Sequence, residues 1–190
     1  AAAGVPRRDR GRRTDAALAA LPDLISGRST TVGDAEVALA PGTDVPPILV
    51  GGTSEAALAR TARHGDGWFG MPMAPAAQAG QVQRLEALAS AHRRPTPGIT
   101  GSMMIALDGD PTVPGLDELT RRLTDPDGLY GMPAEGVPDV LVTGGPDDAA
   151  QRLQDWADLG AERVVITVAA GSWHRQAELL AGASELVTSA

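Results

Sequence analysis

The stretch PPILVGGTSEAALARTARHGDGWF, residues 46–69, decides how the rest of the chain is read. Pro47-Ile48-Leu49-Val50 is a short apolar run without polar alternation. That is the pattern of a strand covered on both faces, as in parallel sheets. Gly51-Gly52 stops it. Thr53 or Ser54 then offers an oxygen to cap a helix over 55–63, which His64-Gly65 ends. Gly67-Trp68-Phe69-Gly70 is a second short strand. Strand, glycine turn, helix and strand in this succession make a parallel βαβ unit.

The pattern continues outward from there. Ala74 to His92 is a long helix with Val82, Leu85, Leu88 and Ala89 on one face, and Ile99 to Leu107 is a third strand. Gly145-Pro146-Asp147 opens a helix that runs to Leu159 and stops at Gly160. Val164 to Val168 is a fourth strand, and Trp173 to Val187 the last helix. Upstream, Thr14 to Ile25 is helical in pattern, with Pro22 inside it as a kink signal and Gly27 as a stop. Ser29 to Asp44 reads as loop with a hairpin signal at Gly33-Asp34. Residues 108–139 are irregular, with one helix near Leu116 to Leu123. The expectation is an α/β protein with four parallel strands, each followed by a helix, in a single domain over 1–190, with 108–139 as an insertion. Val140-Leu141-Val142-Thr143-Gly144-Gly145 echoes the run at 48–52, but strand, glycine and helix succeed one another throughout α/β folds, so the echo carries little weight.

Composition narrows the function. The chain has 190 residues, 43% hydrophobic and only 3% aromatic, so its core is built from Ala, Val, Leu, Ile and Met. It contains no Lys, Asn or Cys, a bias expected of a GC-rich bacterial gene. The absence of cysteine excludes disulfides, thiolate metal sites and cysteine nucleophiles. The net charge of −8 opposes nucleic-acid binding, which needs clustered cations. The one basic cluster, Arg7, Arg8, Arg10, Arg12 and Arg13, reads as a solvated helix entry. No apolar run approaches a membrane span, and no signal-peptide pattern opens the chain. The reading is a cytoplasmic protein with neither a membrane nor a nucleic-acid partner. No spacing of His, Asp or Glu suggests a metal, and neither a nucleophile elbow nor a P-loop is present.

Three segments carry a family resemblance. GRRTDAALAAL at 11–21 resembles the helix after the fourth strand of luciferase-like monooxygenases. The 46–69 segment resembles their fifth strand, helix and sixth strand, and LVTGGPDDAAQRLQDWADLGAERVVITV at 141–168 resembles the helix and strand that close the barrel. The resemblance implies the C-terminal half of a TIM-type (β/α)8 barrel, strands five to eight. Such a barrel takes about 250 residues, so this chain does not close one alone. It implies a flavin-dependent oxidoreductase or monooxygenase that takes FMN or a deazaflavin (coenzyme F-420) and a small-molecule substrate. A complementing N-terminal half or a homo-oligomer is the expected partner, and little or no turnover is expected of this chain alone. The alternatives are a non-catalytic half-barrel that binds or assembles with a partner, and an unrelated flavodoxin-like fold, which strand order distinguishes.

The best candidate site is Gly51, Gly52, Thr53 and Ser54, at a strand's C-terminal end and a helix's N-terminus. Free N–H groups and the helix dipole favour an anion there. The resemblance implies that Thr53 and Ser54 hold the cofactor phosphate. Glu55 follows directly, and a carboxylate turned inward would oppose a phosphate. Trp68, Phe69 and Met71, with Met73, follow the next strand and are candidates for the ring or substrate pocket, against a competing role in the core. Trp173, His174 and Arg175 follow the last strand: His174 is the weak acid–base candidate and Arg175 an anion contact, against a plain surface helix start. His64 and His92 read as helix-end contacts. Gly128, Tyr130, Gly131 and Met132 in the insertion are candidates for a lid.

Overall fold

A computed structural model describes residues 4–188. A 3-10 turn (Arg7–Asp9) leads into α1 (Arg10–Ile25), which continues through Pro22. The hairpin signalled by Gly33-Asp34 forms between β1 (Thr30–Val32) and β2 (Ala35–Val37), with Gly33 at φ +64°. Then come β3 (Leu49–Gly51), α2 (Glu55–His64), β4 (Gly67–Phe69), α3 (Pro75–Ala91) and β5 (Gly98–Ile105). The insertion holds α4 (Leu116–Thr124) and a short α5 (Val137–Val140), and β6 (Leu141–Val142), α6 (Pro146–Asp158), β7 (Ala161–Val168) and α7 (Trp173–Thr188) complete the order.

All pairings in the main sheet are parallel, and β3, β4, β5 and β7 lie side by side in chain order. A flavodoxin-like sheet reverses its order at a switch point; this one does not. The four expected strands are present, and the echo at 141–142 proves to be a fifth, two-residue strand. Met104 pairs with Leu141 on one side and Thr167 on the other, while Thr100 pairs with Phe69 and Arg163. So β4 and β6 share one edge of β5, one above the other, and β7 takes the opposite edge.

Side-chain alternation then sorts the two faces. Val50, Trp68, Ile99, Met103, Ile105 and the Val164-Ile166-Val168 series point to the helices. Trp68 is fully buried against Leu58, Ala62, Val82, Leu85 and Ala89 of α2 and α3. Below α6 and α7 the core is Met103, Ile105, Leu107, Ala149 and Ala183. The other face is largely open: Leu49, Phe69 and Val165 are exposed on it. Helices on one face of an in-order parallel sheet are an arc of a (β/α)8 barrel, with the open face as its inner wall. The insertion returns over this wall at its C-terminal end, where Leu119, Leu123, Val137 and Val140 pack on Met104 and Ala106. On the outside, Arg60 of α2 donates to Asp15 at 2.6 Å and to the Gly11 carbonyl at 3.4 Å, tying α1 alongside α2.

Close packing fixes where glycine is required. A Cβ on Gly101 of β5 would lie 2.5 Å from the ring of the fully buried Trp156, whereas one on Gly80 of α3 meets nothing. Gly101→Ala is therefore expected to destabilise the fold by about 1–3 kcal/mol. Gly80→Ala should stabilise it by about 0.4–1 kcal/mol. Urea titrations of the two variants check the pair.

Candidate functional site

The turn between β3 and α2, the candidate anion cradle, joins a strand end to a helix N-terminus. Gly52 sits at φ +113°, and a Cβ there would stand 3.0 Å from that of Ala57, so the turn takes glycine on both counts. Its N–H donates to the Phe69 carbonyl at 3.3 Å, and its own carbonyl accepts the indole N–H of Trp68 at 2.8 Å. Ser54 is the N-cap of α2, its Oγ accepting the Ala57 N–H at 3.2 Å. The Glu55 and Ala56 N–H groups open the helix, with no carbonyl four residues back to take them. Thr53 is half-buried beside them. Glu55 does not turn inward. Arg84 of α3 grips it through Nε at 3.0 Å and Nη2 at 2.5 Å, and this hydrogen bond first, with the Arg84 charge, holds the Glu55 carboxyl below its usual pKa. The mouth of the cradle is thus left to backbone donors and two hydroxyls.

The remaining candidates divide between the two sides of the sheet. Gly51 and Phe69 are paired neighbours, and Phe69 lies on the inner face beside the cradle. Met71 follows it, exposed, with its carbonyl accepting from Gln78 Nε2 at 2.5 Å. Trp68 corrects the sequence expectation: it does not reach the inner face. Its ring is core on the helix side, and its one polar atom supports the turn at Gly52. Trp173, His174 and Arg175 all lie exposed at the start of α7, beyond β5 from the cradle, and Trp173 is 64% exposed. Arg175 is not presented to an anion. Its Nε donates to the Gly109 carbonyl at 3.1 Å, and its Nη1 pairs with Glu178 at 3.0 Å. In the insertion, Met132 is held by its N–H to the Leu123 carbonyl at 3.0 Å, while Leu129 and Tyr130 are exposed at the tip.

His64 ends α2, at the far end of the sheet from the cradle, and burial, then the Arg63 charge, lowers its pKa. His92 caps α3 at that same end through its backbone N–H to Ala89 and Leu88. A cleft of about 440 Å³ opens between the insertion and α6, lined by Leu116, Thr120, Val137, Asp148, Arg152 and others. Its charged groups Asp148 and Arg152 are spent on the fold: Asp148 accepts the Gly145 N–H at 2.8 Å, and Arg152 donates to the Asp139 carbonyl at 2.7 Å. Among the described residues no three His, Asp or Glu side chains gather as a metal site, and no helix is long and apolar enough to cross a membrane.

Two residues at this end of the sheet escaped the sequence reading, Asp110 and Gln176. Asp110 is 6% exposed. One oxygen accepts the Thr112 N–H at 2.9 Å and hydroxyl at 2.6 Å; the other accepts the Ser172 N–H at 2.6 Å and lies 3.5 Å from Gln176 Nε2. Gln176, fully buried, accepts the Leu107 N–H at 2.8 Å and donates to its carbonyl at 2.9 Å. Ser172 lies 62 positions from Asp110 and Leu107 lies 69 from Gln176, so local pattern marks neither contact; the Asp110–Thr112 contacts alone are local, two positions apart.

The fold defines a class, a parallel barrel arc, with the candidate cradle at the C-terminal end of its first strand. A family model for luciferase-like monooxygenases matches residues 1–112, and the chain belongs to that family. No curated protein matches the chain by sequence. Among solved structures, an F420-dependent secondary alcohol dehydrogenase, seen with an F420–acetone adduct, aligns over 97% of this chain and 64% of its own, with TM-score 0.76 and 10% identity. Riboflavin lyase, seen with modified FMN and riboflavin, aligns over 99% and 60%, with TM-score 0.70 and 13% identity. EDTA monooxygenase from Chelativorans sp. BNC1 aligns over 97% and 61%, with TM-score 0.66 and 14% identity. The chain spans less than two thirds of each, and at these identities the likeness is one of fold.

The donors around Asp110 hold its carboxyl down to about pKa 2, with the Thr112 hydroxyl contributing most and the Thr112 N–H next. A folded-state pKa below the ordinary value of 3.8 contributes stability above that pH and loses it as pH falls through 3.8 toward 2. Asp110→Asn should therefore lower the melting temperature at pH 7, with the gap from wild type narrowing below about pH 4. A constant gap in melts from pH 7 to pH 2.5 would contradict this.

Proposed function

We propose that the chain supplies the phosphate cradle and part of the mouth of a flavin- or deazaflavin-dependent oxidoreductase acting on a small organic substrate. The observation that carries this reading is the Gly52–Ser54 turn: a glycine-shaped strand end, first-turn N–H groups without acceptors, and Glu55 drawn off by Arg84. Family membership and the cofactors named for the similar structures support it.

The residues present fit an FMN or deazaflavin phosphate. In this reading the Glu55 and Ala56 N–H groups and the Thr53 and Ser54 hydroxyls donate to its oxygens, and the helix dipole favours its charge. Trp68 holds the Gly52 carbonyl so that the turn is formed in advance. Phe69 offers an apolar surface on the inner wall beside the cradle, and Met71 a second one at the strand end. The bound cofactor supplies the redox chemistry, and the protein binds and orients it. No acid–base residue is assigned on this half; His174 is exposed at the rim without a partner to orient it.

A second reading, a non-catalytic half-barrel that assembles with a complementing half or another copy, draws on the exposed Leu49, Phe69 and Val165 of the inner wall. In that case a defined oligomer forms without cofactor.

Titration of the purified chain with FMN and with F420, followed by ligand fluorescence, tests the first reading. Saturable binding of at least one is expected. Thr53→Ala should weaken it about tenfold, or about 1.4 kcal/mol; Ser54→Ala should do so as well and also destabilise α2 by about 0.5–2 kcal/mol as its cap is lost. Binding indifferent to both substitutions, or none at all, counts against the cradle.

A further inference from the structure

The bonds around Asp110 join two loops that the phosphate cradle does not involve. Three residues just past β5, Leu107, Gly109 and Asp110, are held by three at the start of α7, Gln176, Arg175 and Ser172 respectively. The approach is close enough to require glycine at 171. Gly171 has φ +95°, and a Cβ there would fall 2.6 Å from the Asp110 carboxylate and 2.8 Å from Val113. Every polar neighbour that faces the carboxylate is a donor: the Thr112 N–H and hydroxyl, the Ser172 N–H and the Gln176 amide. Only an acceptor with two oxygens fits such a socket, because the amide of asparagine would turn an NH2 toward one pair of donors. Arg152 ties the other root of the insertion to α6 through the carbonyls of Pro138 and Asp139. The two roots are therefore anchored to different helices, and the Asp110 root alone is shared with the start of α7, where Trp173 lies.

We propose that Asp110 is a positioning residue that makes the root of the insertion and the start of α7, which carries Trp173, one mechanical unit, so that displacing the insertion displaces Trp173 at the mouth. This holds whatever ligand the mouth takes.

Hydrogen exchange on the whole chain, read segment by segment, tests it. Asp110→Asn should accelerate exchange in 107–113 and 171–176 together by about tenfold or more, the factor carried by one charge-assisted hydrogen bond. The helices at 55–64 and 75–91 should keep their wild-type rates. Trp68 and Trp156 are fully buried, so acrylamide quenching reports on the exposed Trp173; its quenching constant should change in the same variant. Thr112→Val removes only the hydroxyl donor and should move both segments in the same direction by a smaller factor. The proposal is overturned if only one segment responds, if distant helices accelerate equally, or if Trp173 quenching is unchanged. Should Asp110→Asn not fold, Thr112→Val decides by itself: both segments together uphold the unit, and 107–113 alone overturns it.

Discussion

The structure depends on β5 having neighbours on every side. From Ile99 to Ile105 each residue is buried. Its edges are filled by β4 and β6 on one side and β7 on the other. Its helix-side face is filled by Trp156 and the α6–α7 core, and on the other face the insertion packs on Met104. A strand in this position satisfies its backbone groups within the sheet. The loops at its C-terminal end inherit that fixed frame: the insertion leaves from it, and Leu107, just past it, is where Gln176 docks.

At the other side of the sheet the same economy holds at smaller scale. β3 and β4 are three residues each, too short to be rigid by themselves. The bond from Trp68 to the Gly52 carbonyl and the bond from Gly52 to the Phe69 carbonyl link them where the cradle forms. The bulk of Trp68 holds the helix layer, and its one polar atom holds the turn. Charge is managed in the same way, since Arg84 removes from the cradle the one carboxylate that sequence places beside it.

Much of this was legible in the sequence, for identifiable reasons. Apolar runs bounded by glycine marked the four longer strands, and Gly-Asp marked the hairpin. Gly51-Gly52-Thr53-Ser54 after an apolar run marked the strand-to-helix turn, and Glu55 was read there as opposed to an anion. The two-residue β6 was visible only as an echo, because its status comes from pairing with Met104 and Ile105. The choice between pocket and core for Trp68 was left open for a related reason: in a three-residue strand the parity of alternation is set by neighbouring strands, not by local pattern. Gln176 was invisible, and Asp110 legible only as a local turn with Thr112, because the bonds from Ser172 to Asp110 and between Leu107 and Gln176 each span more than sixty positions. Arg175 looked like an anion contact by type and position, and only the structure reveals that a carbonyl and Glu178 already hold it.

The claim on which the functional account rests is that the β3–α2 turn binds a phosphate. Amide chemical shifts of the isotopically labelled chain, followed during titration with inorganic phosphate and then FMN, address it directly. The account predicts saturable shifts centred on the N–H groups of Gly52 to Ala56 with both ligands, extending toward Phe69 and Met71 with FMN alone. Shifts centred on the cleft between the insertion and α6, or spread without a focus, would contradict it.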